Sequence, residues 1–268
     1  MADRQYLIPL LLLATLQGGT ALAQQAPAVP VAASAKLPAD PRDFAGVWMN
    51  DNSLDERLKR EGRTRLSAEE AARAEEAGPP PPLTPPYLAK LQEIERMRAG
   101  WAVGAEPCEW PGMPRIMTYP YPLEILHTPG RITLIFEAES QVRRIFLDRS
   151  EHLPVEELDP SYNGDSIGRW EGNTLVVDTV GFNTMTRVGR GWPHSERMRI
   201  SERIRYVDED TIENRMTITD PEAFTRPIEQ TVIYSRRPDW RIREYSCMEN
   251  NRDAPDANGQ RSGGVVPQ

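Results

Sequence analysis

Histidine and cysteine are scarce in this chain, three and two in 268 residues. Without H-E-x-x-H or close H-x-H spacing, His127, His152 and His194 carry little sign of a metal site; one would have to be assembled from distant strands. Two cysteines with no C-x-x-C spacing argue against a thioredoxin-like redox site or a structural zinc site. Aromatic residues make up only 7%. Basic charge is in deficit, with 32 Lys and Arg against 40 Asp and Glu, a formal charge of -8. Such a surface repels phosphate backbones, so no nucleic-acid partner is expected. Long apolar runs are also missing. The one of note, Tyr6 to Leu16, is soon interrupted by Gln17-Gly18-Gly19 and is too short for a membrane span. A long coiled coil and a transmembrane bundle are both excluded.

What that run does fit is an export signal. Arg4 precedes it and Ala21-Leu22-Ala23 follows, so residues 1–23 read as a signal peptide cleaved before Gln24. The expected location is periplasmic or secreted. No Cys follows the apolar segment, which leaves a lipid anchor unsupported. In an oxidising compartment Cys108 and Cys247 are expected to form a disulfide, two separate buried thiols being the alternative. Closing so long a loop is worth roughly 4 kcal/mol in the chain-entropy model.

Residues 24–42, rich in Ala, Pro and Val, read as a disordered leader. Phe44 to Met49 reads as a first strand, with Phe44 and Trp48 as core anchors. A helical segment is expected over about 54–100: a short helix from Leu54, a second behind the capping box Ser67-Ala68-Glu69-Glu70, and a third from Thr84. In the third, Tyr87, Leu91, Ile94 and Met97 recur at helical spacing, which predicts a lid or plug on the main domain. From Leu123 the period becomes two. Strands are expected at 123–128, 131–137, 141–147, 166–170, 174–180, 197–207, 211–218, 230–236 and 240–245. No amphipathic helices separate them, so parallel βαβ units are not expected. The fold class is mainly β, an antiparallel meander closed into a barrel or a strongly curved sheet, with short N-terminal helices. It spans about 43–249 as one domain, and 250–268 reads as a flexible tail. Closure is favoured because it removes exposed edges.

Alternation sorts the side chains into faces. Met198, Ile200, Glu202, Ile204 and Tyr206 share one face, as do Ile212, Asn214, Met216 and Ile218. By the same reading Leu123, Ile125 and His127, then Val142, Arg144 and Phe146, then Trp240, Ile242 and Glu244 point inward. The interior thus collects His127, Arg144, Glu202, Asn214 and Glu244 among apolar neighbours. Two readings stay open: an internal salt-bridge network that fills the barrel, or a pocket whose polar groups orient a ligand. A one-residue slip would reverse any of these assignments.

The densest stretch is GDSIGRWEGNTLVVDTVGFN, from Gly164 to Asn183. Its glycines make no nucleotide fingerprint, since no strand-to-helix transition contains them. They read as turn and bulge positions. Ser166 lacks the nucleophile elbow, and Asp178 reads equally as surface or site. Together with GMPRIM and PYPLEILHTPGRITLIFE upstream, and with PHSERMRISERIRYVDEDTIENRMTITDPEAFTRP and EYSCMEN downstream, this stretch resembles an incompletely characterised family of exported bacterial β-rich proteins. The resemblance covers roughly Phe44 to Asn250 and implies a lipocalin-like fold. It brings no catalytic assignment. Where relatives often read D-G-R-x-H-P, this chain has Asp148-Arg149-Ser150-Glu151-His152-Leu153, which departs from the pattern but leaves His152 in the matching place. Relatives often carry Asp where Asn173 stands, so a carboxylate is not essential there.

For chemistry, two long loops carry His152 and His194, with Asp165 nearby in sequence. If both loops cap one barrel mouth, His194 would be a general base or acid, Asp165 would orient an imidazole, and Trp170 would wall the pocket. Glu202, Arg144, His127, Asn214 and Glu244 would bind substrate. No flavin, nicotinamide or phosphate cofactor has a binding segment, and no cofactor is expected. The first functional expectation is a cofactor-independent isomerase, hydratase or lyase acting on a small, mainly apolar molecule. The alternatives are a periplasmic ligand carrier and a structural envelope protein; a homodimer is kept open as the assembly state.

Overall fold

The computed structural model describes residues 36–51, 81–99, 108–154, 156–189 and 191–247. The signal peptide, the helical stretches expected between Leu54 and Gly78, and the tail from Asn250 lie outside the described residues. Residues 36–42, placed in the leader by composition, are fastened to the domain. Lys36 pairs with Glu209 at 2.5 Å and Arg42 Nε donates to the Gly172 carbonyl at 2.9 Å.

Nine strands among the described residues close into a barrel in sequence order. They are β1 (Gly46–Asn50), β2 (Leu123–Thr128), β3 (Arg131–Phe136), β4 (Val142–Phe146), β5 (Asp165–Glu171), β6 (Thr174–Val180), β7 (Arg199–Asp208), β8 (Thr211–Thr219) and β9 (Ile228–Arg236). Closure comes from β9 returning to β1, with Trp48 opposite Arg236 and Asn50 opposite Tyr234. Tight turns keep the hairpins in register. At the β5–β6 turn Gly172 has φ +60° with no atom within 4 Å of a would-be Cβ, so backbone conformation alone selects glycine there.

One pairing departs from the expected antiparallel meander. β4 and β5 run parallel and meet at only two residue pairs, Ile145 with Ser166 and Phe146 with Ile167. The irregular Leu147–Gly164 connection carries the chain back to the end from which β4 started, as a parallel neighbour requires. β5 meets β6 at all seven of its positions. The barrel wall therefore has a short, weak seam on one side of β5.

Three sequence expectations need correction. Residues 240–245 form no strand, because β1 takes the place beside β9 that such a strand would occupy. Glu244 is exposed there rather than interior. In β4 the inward face carries Arg143 and Ile145, opposite Leu134 and Ile132, so Arg144 is exposed and Arg143 is buried. The C-terminal segment instead straps the outside. Arg243 N–H donates to Glu137, Cys247 N–H to Glu139, and the Cys108–Cys247 disulfide fastens its end with Cα atoms 5.6 Å apart.

The two barrel ends are packed differently. At one, Phe44 inserts between Trp170 and Tyr206, with ring centroids 5.5 and 5.2 Å away. At the other, the short 3-10 helix Arg115–Thr118 buries Ile116 and Met117. Helix α1 (Pro85–Ala99) begins where Pro is well tolerated and buries Tyr87 and Leu91. Met97 is exposed, so only its first half packs on the domain. Among the described residues, no helix is long and apolar enough to cross a membrane.

Candidate functional site

Inside the barrel, Arg143 reaches from β4 across to Glu202 on β7. Both side chains are fully buried, and the guanidinium meets the carboxylate through both terminal nitrogens. Its remaining donors go to Ser166 Oγ on β5 at 3.2 Å and Thr179 Oγ1 on β6 at 3.0 Å. Asn214 on β8 donates to the Glu202 carboxylate at 2.8 Å, while its own Oδ1 has no partner. Alternation in β7 and β8 brought Glu202 and Asn214 to light. In β4 the alternation read from sequence turns Arg144 inward, whereas the structure buries Arg143. Above this group, burial, and then the nearby Glu202 charge, push the Tyr234 phenol well above its ordinary range.

On the outer wall stands a second polar group. His152 Nδ1 lies 2.8 Å from Asp165, and its Nε2 lies 2.8 Å from Asp178. Arg149 donates to Asp165 at 2.6 Å, and Arg199 holds Asp178 through two bonds. Burial pushes both carboxyls up, but the hydrogen bonds from arginine and His152 outweigh it and hold both below the usual carboxylate range. His152 meets Asp165 here on the outer wall and without His194, not over a barrel mouth. Asp178, Arg149 and Arg199 joined only once β5–β7 were aligned, because Ser166 and Thr179 point inward and their neighbours outward.

His194 belongs to neither group. It is 1% exposed, and its two ring nitrogens lie 2.6 Å from Thr186 Oγ1 and 2.8 Å from the Ser195 carbonyl. The carbonyl can only accept, so Nδ1 carries the hydrogen and Nε2 accepts from threonine. Burial pushes this imidazole below its ordinary value. Its turn is held by Asp220, which accepts from Ser195 N–H at 2.6 Å and from Ser195 Oγ at 2.8 Å. His127 caps the aromatic end, where Nε2 accepts the Phe44 N–H at 3.2 Å, and burial lowers it as well. The mouth imagined from sequence, with His152, His194, Asp165 and Trp170 around it, is thus not assembled. Asp165 starts β5 facing outward, and Trp170 sits five residues along on the inward face.

Open space lies beside Trp170. Where β4 ends and β5 continues, a cleft of about 460 Å³ is lined by Leu147, Asp148, Arg149, Ser150, Ile167, Gly168, Arg169 and Trp170. Its volume falls within the range of about 300–1,000 Å³ usual for small-molecule sites. Gly168 is required by close packing: a Cβ there would lie 2.8 Å from Ile145 and 2.9 Å from Leu147. A second cleft of about 520 Å³, with Asp40, Arg42, Asp43, Leu126 and His127 around it, shares the Trp170 wall. Among the described residues, no three His, Cys, Asp or Glu side chains group to hold a metal ion. Compared with known proteins, the chain matches no family model and no curated protein.

Proposed function

We propose that this protein is an exported binding or carrier protein for a small, mainly apolar molecule with a polar handle. The observation that carries the reading is the cleft at the β4–β5 seam. Leu147, Ile167 and Trp170 offer apolar wall to the body of a ligand, and Arg149, Ser150, Arg169 and Asp148 offer polar contacts to its handle. Binding fits better than acid/base turnover. A general base needs a lone pair within reach of the reacting group. His152 and His194 each commit both ring nitrogens to protein partners, and His127 commits one to the Phe44 backbone. We also read the Gly164–Asn183 signature as membership of the exported β-rich family it resembles.

The test is to incubate the purified protein with lysate metabolites and identify by mass spectrometry what is retained. Anilinonaphthalene sulfonate, an aromatic body with an anionic handle, serves as a defined probe in calorimetry. Ile167→Glu places a charge in the cleft wall on the outward face of β5. It is expected to weaken the probe by about tenfold or more with unchanged thermal stability. Equal binding by the variant would overturn the assignment of the cleft.

A further inference from the structure

β5 has two unlike edges. Towards β6 all seven residues are paired, whereas towards β4 the pairing stops after Ile167. Gly168, Arg169, Trp170 and Glu171 are left without a strand on that side. Along a strand the N–H and C=O of alternate residues point to opposite edges, so part of this main chain is aimed at the seam. The connection leaving β4 does not take these groups up. Among the described residues, no backbone hydrogen bond runs from residues 147–150 to residues 168–171; Leu147 N–H goes instead to the Gly130 carbonyl. The cleft lies between these same two stretches. The cleft thus runs along the part of the β5 edge beyond its last pairing with β4.

Two arginines, Arg149 and Arg169, line the cleft with one acid, Asp148; Arg149 also bonds Asp165 and Arg169 also bonds Glu171. Arg149 is stacked over Phe146 at 4.0 Å, which fixes its plane, and its Nε is buried without a partner. An anion entering the seam would meet a held guanidinium with a donor to spare.

Resting on the reading of this cleft as a ligand site, we propose that its ligand is a short extended peptide with a free C-terminal carboxylate. The peptide adds to the edge of β5 as a strand, which is the β-augmentation mode of recognition. Its amides meet the free main chain of Gly168–Glu171, its carboxylate meets the Arg149–Arg169 side, and an apolar side chain lies against Leu147, Ile167 and Trp170. Two or three residues match the four-residue length of the open edge.

Three peptides test this by calorimetry on the full mature chain: acetyl-Leu-Leu, its C-terminal amide, and acetyl-Leu-Leu methylated on the central amide nitrogen. Acetyl-Leu-Leu is expected to bind. The methylated form loses a main-chain donor and should bind about tenfold more weakly. The C-terminal amide should lose affinity and also lose the salt dependence of binding. Ile167→Glu should weaken acetyl-Leu-Leu and anilinonaphthalene sulfonate together. Equal binding of the methylated and parent peptides overturns strand addition. If anilinonaphthalene sulfonate binds and the variant weakens it, yet no peptide binds, the peptide inference fails and the small-molecule site stands. If neither binds, both fail.

Discussion

Two charged groups, one inside the barrel and one on its wall, use the same kinds of side chain to different ends. In the interior pair Arg143 and Glu202 have no exposed side-chain surface. On the wall, Asp165, His152 and Asp178 keep 11%, 17% and 16% of theirs. Water therefore shares the work outside and is excluded inside. A buried charge must have its bonding capacity met by protein, and Ser166, Thr179 and Asn214 supply the donors and acceptors the ion pair leaves over. The wall group has a different consequence. One ring ties together two carboxylates on neighbouring strands, Asp165 on β5 and Asp178 on β6. The interior network specifies how five strands meet. The wall network fastens the 149–152 connection to β5 and β6, and through Arg149 it fixes one side of the seam cleft.

Breaking the interior pair should have the largest effect. Glu202→Leu leaves Arg143 buried without its counter-charge and is expected to lose about 3–5 kcal/mol in urea unfolding. The double variant Arg143→Met with Glu202→Leu removes both charges and should recover most of that loss, because isolated hydroxyls and one amide are cheaper to bury than a charge. A double variant as unstable as the single one would mean that the five-residue network, rather than the charge pair, sets the stability. Salt should change neither result much, since the pair is shielded from mobile ions.

The wall group should give a smaller and salt-sensitive loss. His152→Ala leaves Asp165 and Asp178 facing each other without the bridging ring, each still held by an arginine. We expect a loss of about 1–2 kcal/mol at neutral pH after allowing for solvent screening. Repeating the unfolding at about 1 M salt should shrink the difference between variant and parent. If it stays as large as that for Glu202→Leu, the contrast between wall and interior is wrong.

How far these groups could be read from sequence depends on strand length and on contact range. β7 and β8 run to ten and nine residues, long enough for alternation to fix Glu202 and Asn214 inward. β4 is Val-Arg-Arg-Ile-Phe, where either arginine satisfies the pattern locally. The choice of Arg143 is made by a carboxylate 59 residues away. The parallel seam is likewise non-local, because the irregular Leu147–Gly164 stretch carries no periodic signal for the direction in which the next strand runs. His152 and Asp165 are 13 residues apart, and the sequence joins them only on the condition that two long loops cap one barrel mouth. His194 was misplaced because the residue holding its turn, Asp220, lies 25 positions after Ser195, beyond two strands. Fold class was therefore visible in repeated local pattern, and the site was not, since it sits where pattern breaks.

The smallest expected effect separates the imidazoles from the wall carboxylates by pH. Burial lowers His194 and His127 from 6.5, so each takes up its proton more readily in the unfolded chain. Their contribution to stability is complete above about pH 6.5 and is lost as pH falls through the lowered folded values. Asp165 and Asp178 are lowered from 3.8, so their contribution is complete above that value and is lost only further down. Melting temperature followed from about pH 8 to about pH 3 should decline in two stages. His194→Gln, which retains an amide to meet Thr186, should flatten the first stage and leave the second. His152→Ala unlinks both carboxyls from the ring and should flatten the second, since each aspartate loses one of the bonds that hold it ionised. A His194→Gln protein with the parent's full decline just below pH 6.5 would remove His194 as its source and leave His127, whose acceptor role at Phe44 ends on protonation. The same scan with anilinonaphthalene sulfonate bound asks whether the wall reaches the cleft. Arg149 belongs to both, so probe affinity should change in the carboxylate stage and not in the imidazole stage.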